Sequence, residues 1–329
     1  MKSKITNLLI VLGPFLGLIL IFAFFCALAP SSFHSFYNVK TIITQSVIVS
    51  IGALGMTLVI ISGGIDLSVG SQIALCTVVT ASVLDTFGGT EGQALGLLPA
   101  LAAAVCGVAA CAACGAAGGS LTTTLGIVPF IVTLGIMQIA RGLAKWIGKE
   151  QTIMTPQNPL MKLMDVDPTP SWLVFAPGVW LTLLLLAVTW VVLNRTIFGR
   201  RVHAIGSNEK TAVLCGVRTK FNKIMIYTVC GAFTGVAGIM QYANLSVGDP
   251  TAASGMELDI IAAVVIGGGS LTGGEGGALG SVIGALIMAV LRNGCNMLGV
   301  PNYVQDIIIG SIIIAAVAVD VLRKRVQSA

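Results

Sequence analysis

Apolar runs of about twenty residues, the length that crosses a bilayer as a helix, recur along the whole of this chain. They fall at 8–29, 41–61, 68–86, 94–117, 126–147, 172–193, 223–243, 256–268, 276–293 and 302–320. Hydrocarbon offers the backbone no water, so each crossing must satisfy its own N–H and C=O groups. The expected fold is therefore all-α: a polytopic membrane protein of about ten transmembrane helices, some of them broken by Gly-rich segments. Composition agrees. The chain is 56% hydrophobic and 9% charged, where soluble domains carry about 25% charged residues. Two soluble domains would fit 329 residues, but the crossings leave one integral domain over 1–329.

One polar stretch, 194–222, interrupts the runs with Arg195, Arg200, Arg201, Lys210, Arg218 and Lys220 against the single acid Glu209. Lys2 and Lys4 flank the first run, and Arg323, Lys324 and Arg325 follow the last. Basic residues at span ends are topology signals, so the net charge of +5 implies no nucleic acid. Ten crossings place both termini and the 194–222 loop in the cytoplasm, with Asp85/Glu91, Asp165/Asp167 and Asp249 outside. The eighth run is short, since Leu258 to Ile266 supplies only nine clean apolar residues. A re-entrant hairpin there would move the basic tail outside, so a broken crossing is expected. The first run resembles a signal peptide with Ala27-Leu28-Ala29 as its cleavage site. It is too long for that role and Pro30 follows the cut, so it reads as an uncleaved span. The external connection 148–171 holds Pro156, Pro159, Pro168 and Pro170, and reads as a lid or docking ledge.

Several classes of chemistry are missing. His34 and His203 fall on opposite sides of the predicted membrane, so no metal site forms, and no catalytic motif occurs. The glycine-rich 267–277 lacks the Lys of a phosphate-binding loop, so the chain binds no nucleotide or other cofactor itself. Cys111-Ala-Ala-Cys114 stands in an Ala/Gly helix and reads as packing. Gly276, Gly280 and Gly284 repeat every four residues, as do Gly115/Gly119 and Gly231/Gly235; such bare ridges let helices approach closely in lipid. A faint repeat is present. The stretch 62–70 echoes 266–274, and Leu125-Gly-Ile-Val-Pro129 echoes Leu298-Gly-Val-Pro301.

Polar residues inside the runs are mostly uncharged, among them Gln45, Ser46, Thr133, Gln241 and Asn293, which suits a neutral, hydroxyl-bearing solute. The expected passage follows the glycine-interrupted segments, near Asp66, Ser68 and Thr133 in one half and Asn302, Gln305 and Asp306 in the other. The alternative of equal weight is that these residues cap helices and tie spans together. In the basic loop, Ser207 is placed to cap a helix from Asn208 to Cys215, with Glu209 at its positive end and Gly216 as its stop. Two turns do not persist alone in water. The helix must pack, through Ala212, Val213, Leu214 and Cys215, on a partner or on its own membrane domain. Gly206, Arg200, Arg201 and Lys210 complete the expected contact surface.

The residues Gly55-Met-Thr-Leu-Val-Ile-Ile-Ser-Gly-Gly-Ile-Asp-Leu-Ser-Val-Gly70 resemble a hallmark of permease subunits of bacterial ribose/xylose/arabinose-type ABC importers. So do Phe198-Gly-Arg with Ala204-Ile-Gly-Ser-Asn208, Glu257 through Gly269, and Asn293-Gly-Cys-Asn-Met-Leu-Gly-Val300, so that the resemblance runs from about Asn38 to Asp320. It implies a homodimeric pore in the bacterial inner membrane, without enzymatic activity of its own. A cytoplasmic tandem sugar ATPase, holding ATP and Mg, would dock on the coupling helix; a periplasmic sugar-binding protein would deliver a monosaccharide such as a ribose-like pentose. Ser207 stands where the family often has Gly, and Cys215-Gly-Val217 where it has Ser-Gly-Ile. Two alternatives are a branched-chain amino-acid importer permease, whose counterpart of Gly63 to Gly70 reads differently, and an ion-coupled carrier, which needs a titratable group at mid-span.

Overall fold

A computed structural model of the chain describes residues 2–88, 94–170 and 172–328, with side chains from 13 to 318 except 316. Glu91, Ser171 and the side chains of Lys2, Lys4, Arg323, Lys324 and Arg325 lie outside that description. The structure is 77% helical. Its helices in chain order are α1 (Lys2–Leu28), α2 (Phe36–Ile61), α3 (Val69–Phe87), α4 (Leu97–Leu125), α5 (Pro129–Ile147) and α6 (Pro177–Arg195). There follow α7 (Ile197–Ser207), α8 (Glu209–Leu214), α9 (Thr219–Leu245), α10 (Met256–Ile266), α11 (Ala278–Met297) and α12 (Asn302–Ser328). Two short strands, β1 (Ile153–Met154) and β2 (Val247–Gly248), pair antiparallel.

Among the described residues, seven helices are long and apolar enough to span a membrane: α2, α3, α4, α5, α6, α9 and α11. The described parts of α1 and α12 are apolar as well. At ~1.5 Å per residue an 11-residue helix such as α10 covers about half of a ~30 Å hydrocarbon core. Its flanks are tied down at both ends. At one end Arg141 donates to the carbonyls of Pro250 and Ala252, both at 2.9 Å, and Thr77 donates to that of Asp249 at 3.2 Å. At the other, Gly274 N–H donates to the Ile61 carbonyl at 2.8 Å, beside α7. α10 is thus too short to cross alone, and the protein is a multi-pass membrane protein with seven span-length helices and further apolar ones among the described residues.

Burial sorts the helices. The apolar window of α2 is 83% buried and that of α4 only 22%, so α2 is central and α4 presents most of its surface outward. Lipid gives helices no hydrophobic reason to associate, and small residues supply the contact instead. Along the antiparallel pair α4–α9, a Cβ at Gly115 would overlap the Tyr227 carbonyl, and one at Gly231 the Cys111 carbonyl. Gly280 and Gly284 likewise seat α11 on the α10 backbone at Gly267 and Ala263. Gly276 departs from expectation. It precedes the α11 N-cap, Gly277, in the connecting loop and faces the Ile61 side chain.

The first sequence echo is a shared turn. Gly63 and Gly268 are both left-handed (φ +80° and +91°), and the next N–H in each case closes back onto a helix carbonyl at the same spacing, Gly64 to Val59 at 3.0 Å and Gly269 to Val264 at 2.8 Å. The second echo marks helix ends at opposite faces. Leu125 lies at the α4 end facing the start of α9, whereas Leu298 lies beyond Asn293, which bonds Asn38 at the start of α2. The connection 148–176 is strapped down rather than free to close: β1 pairs with β2, Asn158 donates to the Tyr242 hydroxyl at 2.8 Å, Leu160 and Met164 are buried, and Lys40 pairs with Asp167.

Candidate functional site

A cleft of 750 Å³ lies among α2, α9, α10, α11 and α12, within the ~300–1,000 Å³ usual for small-molecule sites. In a chain this apolar its lining is unusually polar. Gln45, Gln241, Asn244 and Asn296 bring amides, and Asp259, Arg292 and Asp306 are its three charged residues. Asp259 lies in the first turn of α10, where the helix dipole favours a carboxylate. The antiparallel packing of α11 on α10 sets Arg292 opposite, and its Nη2 donates to Asp259 Oδ2 at 2.7 Å. The Asp259 side chain is 10% exposed and that of Arg292 41%, so the guanidinium keeps one side on the cleft. Met256 and Met288 supply apolar wall between the polar groups. Fixed amide and charged donors and acceptors, with apolar surface between them, can hold and release a polar organic solute by hydrogen bonding.

The six residues expected along the passage separate into two groups. Ser68 donates to Asp66 through its N–H, at 2.9 Å, and through its hydroxyl, and Gln72 Nε2 donates to Ser68 Oγ at 2.6 Å. Thr133 Oγ1 donates to the carbonyls of Phe130 at 3.2 Å and Ile65 at 3.4 Å. All three residues are 1% exposed, order the turn into α3, and line no part of the cleft. The other three gather at the start of α12. Asp306 lines the cleft, Asn302 is exposed, and Gln305 donates to Asn296 Oδ1 at 2.7 Å and to the Val300 carbonyl at 2.9 Å, holding Asn296 in the cleft wall. Arg292 is the residue that reading the sequence missed. The available signal was opposite charge in two neighbouring apolar runs, Asp259 in one and Arg292 in the next.

In the basic stretch the cap is Asn208, not Ser207. α7 continues through Ser207, and Asn208 Oδ1 accepts from Thr211 N–H at 3.0 Å to start α8. α8 is thus one residue shorter at each end than the expected 208–215. Gly216 (φ +79°) does stop it, as Val217 N–H returns to the Ala212 carbonyl at 3.0 Å. Ala212 is buried, while Val213 is 53% and Leu214 87% exposed. Glu209 meets Lys223 of its own chain at 2.7 Å. Arg200, Arg201 and Lys210 are exposed, and their side chains form no ion pair among the described residues. Gly206 is packed into the body. A Cβ there would overlap the Ile61 carbonyl and crowd Gly274 N, and His203 Nδ1 donates to the Gly274 carbonyl at 3.0 Å. So α7 rests on the ends of both glycine turns.

Residues 38–317 match the family model described as branched-chain amino acid transport system / permease component. The chain is 40% identical to the ribose import permease protein of Bacillus subtilis over 317 residues, covering 94% of this chain and 92% of that one. It is 38% identical to the Escherichia coli K12 ribose import permease protein, with 93% and 92% covered. Against the fructose import permease protein of Rhizobium meliloti the identity is 33%, with 93% and 84% covered. No solved structure matches the chain. The matches run nearly end to end, and the chain belongs to the family of import-system permease components that includes the ribose and fructose permeases.

Proposed function

We propose that this chain is the transmembrane pore subunit of an ATP-driven monosaccharide importer, with a ribose-like pentose as first candidate, and that the cleft lies on the path of the sugar. The observation that carries this reading is the cleft itself: amides and one ion pair gathered inside an otherwise apolar bundle, in a chain whose relatives are named as ribose and fructose permeases. Sugar hydroxyls both donate and accept, so amides serve them from either end. In this reading the basic face, carrying α7, α8 and the tail, is cytoplasmic in the inner membrane, following the bias of Lys and Arg toward the inside.

In this reading ATP and Mg belong to a tandem ATPase partner, and the outward residues of α8 are the surface offered to it. The strapped ledge at 148–176 is the ground for a periplasmic sugar-binding protein. A second copy of the chain covers Leu258, Tyr303 and Ile307, exposed by 53%, 69% and 66% on the helices that border the cleft. The test is uptake of labelled ribose into proteoliposomes holding the permease with its ATPase and binding protein. Gln241→Leu is expected to lower uptake at least tenfold while the complex stays assembled. Uptake at the wild-type rate would remove the cleft from the path.

A further inference from the structure

We infer that the three charged residues of the cleft, Asp259, Arg292 and Asp306, make it a filter that accepts neutral polyols and refuses solutes bearing a carboxylate. The inference rests on the cleft being the sugar path. Two carboxylates and one guanidinium leave the lining with one net negative charge. Arg292, the one cation among the described lining residues, is already engaged, since it donates to Asp259 at 2.7 Å. An incoming carboxylate that uses the guanidinium N–H groups left free is set beside the like charge of Asp259, and displacing Asp259 instead would strand a carboxylate whose side chain is 10% exposed. Removing one partner of a buried ion pair is costly because the other charge stays behind unpaired. Asp306, exposed on the facing turn of α12, repels the same group.

A neutral polyol meets the opposite situation. Its hydroxyls can donate to Asp306 and to the amide oxygens, and accept from the amide N–H groups and from the guanidinium N–H groups not used on Asp259. The pair stays intact. An aliphatic amino acid brings a carboxylate to be repelled and a side chain that leaves the amides without partners, and buried polar groups left unpaired discriminate strongly. The filter thus separates the two solute classes associated with this family, sugars and branched-chain amino acids, inside the membrane and independently of any delivering protein.

The test is saturation-transfer NMR on the full-length permease in lipid nanodiscs, with D-ribose, D-ribonate and L-leucine as probes. Wild type is expected to transfer to ribose and at least tenfold less to ribonate and leucine. Asp259→Asn frees Arg292 and removes the net charge, and ribonate transfer should rise at least fivefold. Asp306→Asn leaves the buried pair in place and should give a smaller rise; it serves where Asp259→Asn fails to reconstitute. Equal transfer to ribose and ribonate in wild type overturns the filter while leaving the path intact. So does a ribonate signal that neither variant raises. No ribose transfer in wild type, with uptake by the assembled importer intact, removes the cleft from the path and the filter with it.

Discussion

The α4–α9 seam and the cleft beside α10 to α12 are assembled by opposite means. At the seam, Gly115, Gly119, Gly231 and Gly235 bring two helix backbones into direct contact. Around the cleft, α10 and α11 touch through Gly280 and Gly284, yet one turn further on Asp259 and Arg292 keep a polar opening. Close backbone contact in lipid is strong and tolerates no added atom. A buried ion pair contributes little net stability and is costly to break on one side. The seam therefore behaves as scaffold, and the cleft is where the protein can change shape or ligand without losing its fold.

The largest effect should come from breaking the seam. A Cβ at Gly115 or Gly231 meets a backbone carbonyl of the facing helix, which has no rotamer by which to yield. Gly231→Ala should cost at least the ~1–3 kcal/mol of core overpacking, and Gly231→Leu should abolish the monodisperse peak in size-exclusion chromatography. A Gly231→Leu protein with wild-type elution and thermal midpoint would show that the seam can open.

The cleft should be hurt less, and in a recoverable way. Asp259→Leu strands Arg292. Because that guanidinium is 41% exposed, the loss should fall between the ~1 kcal/mol of a surface pair and the ~3–5 kcal/mol of a buried one. Adding Arg292→Leu should restore most of the thermal stability while uptake stays lost. A double variant less stable than the single would mean that the pair holds α10 to α11. Smaller still, Thr133→Ala gives up hydrogen bonds to Phe130 and Ile65 worth ~1 kcal/mol and should leave uptake near wild type. A complete loss of uptake with a stable fold would return Thr133 to the sugar path.

The all-helical fold and its apolar spans were legible in the sequence because apolar length is a one-dimensional signal. Gly280 and Gly284 were legible for the same reason; Gly276 was not, because a four-residue spacing does not say where a helix begins. Asp66 and Ser68 drew attention as polar residues in an apolar chain. Whether such residues cap a helix or line a path depends on which helices come together, and only the fold states that. Arg292 escaped for the converse reason. Its meaning lies in Asp259, 33 residues earlier, brought opposite by the packing of α10 on α11. Ser207 and Asn208 are both good caps, and the choice turned on how far α7 runs.

The smallest effect on stability should carry the largest contrast in function. Leu214 is 87% exposed at the end of α8, and it contributes no packing within the chain that a serine would remove. Leu214→Ser should therefore change the thermal midpoint by no more than surface substitutions do, within ~0.5 kcal/mol. If α8 is the surface on which the ATPase closes, Leu214 is the side chain that fills its groove, in the manner of short helices docked by a few apolar anchors. Ribose-stimulated ATP hydrolysis and uptake by the assembled importer should then fall together, at least fivefold, while ribose binding to the permease alone is retained. Unchanged uptake with unchanged stability would place the docking surface elsewhere on the basic face, among Arg200, Arg201 and Lys210. A large drop in stability would show that Leu214 packs against its own chain.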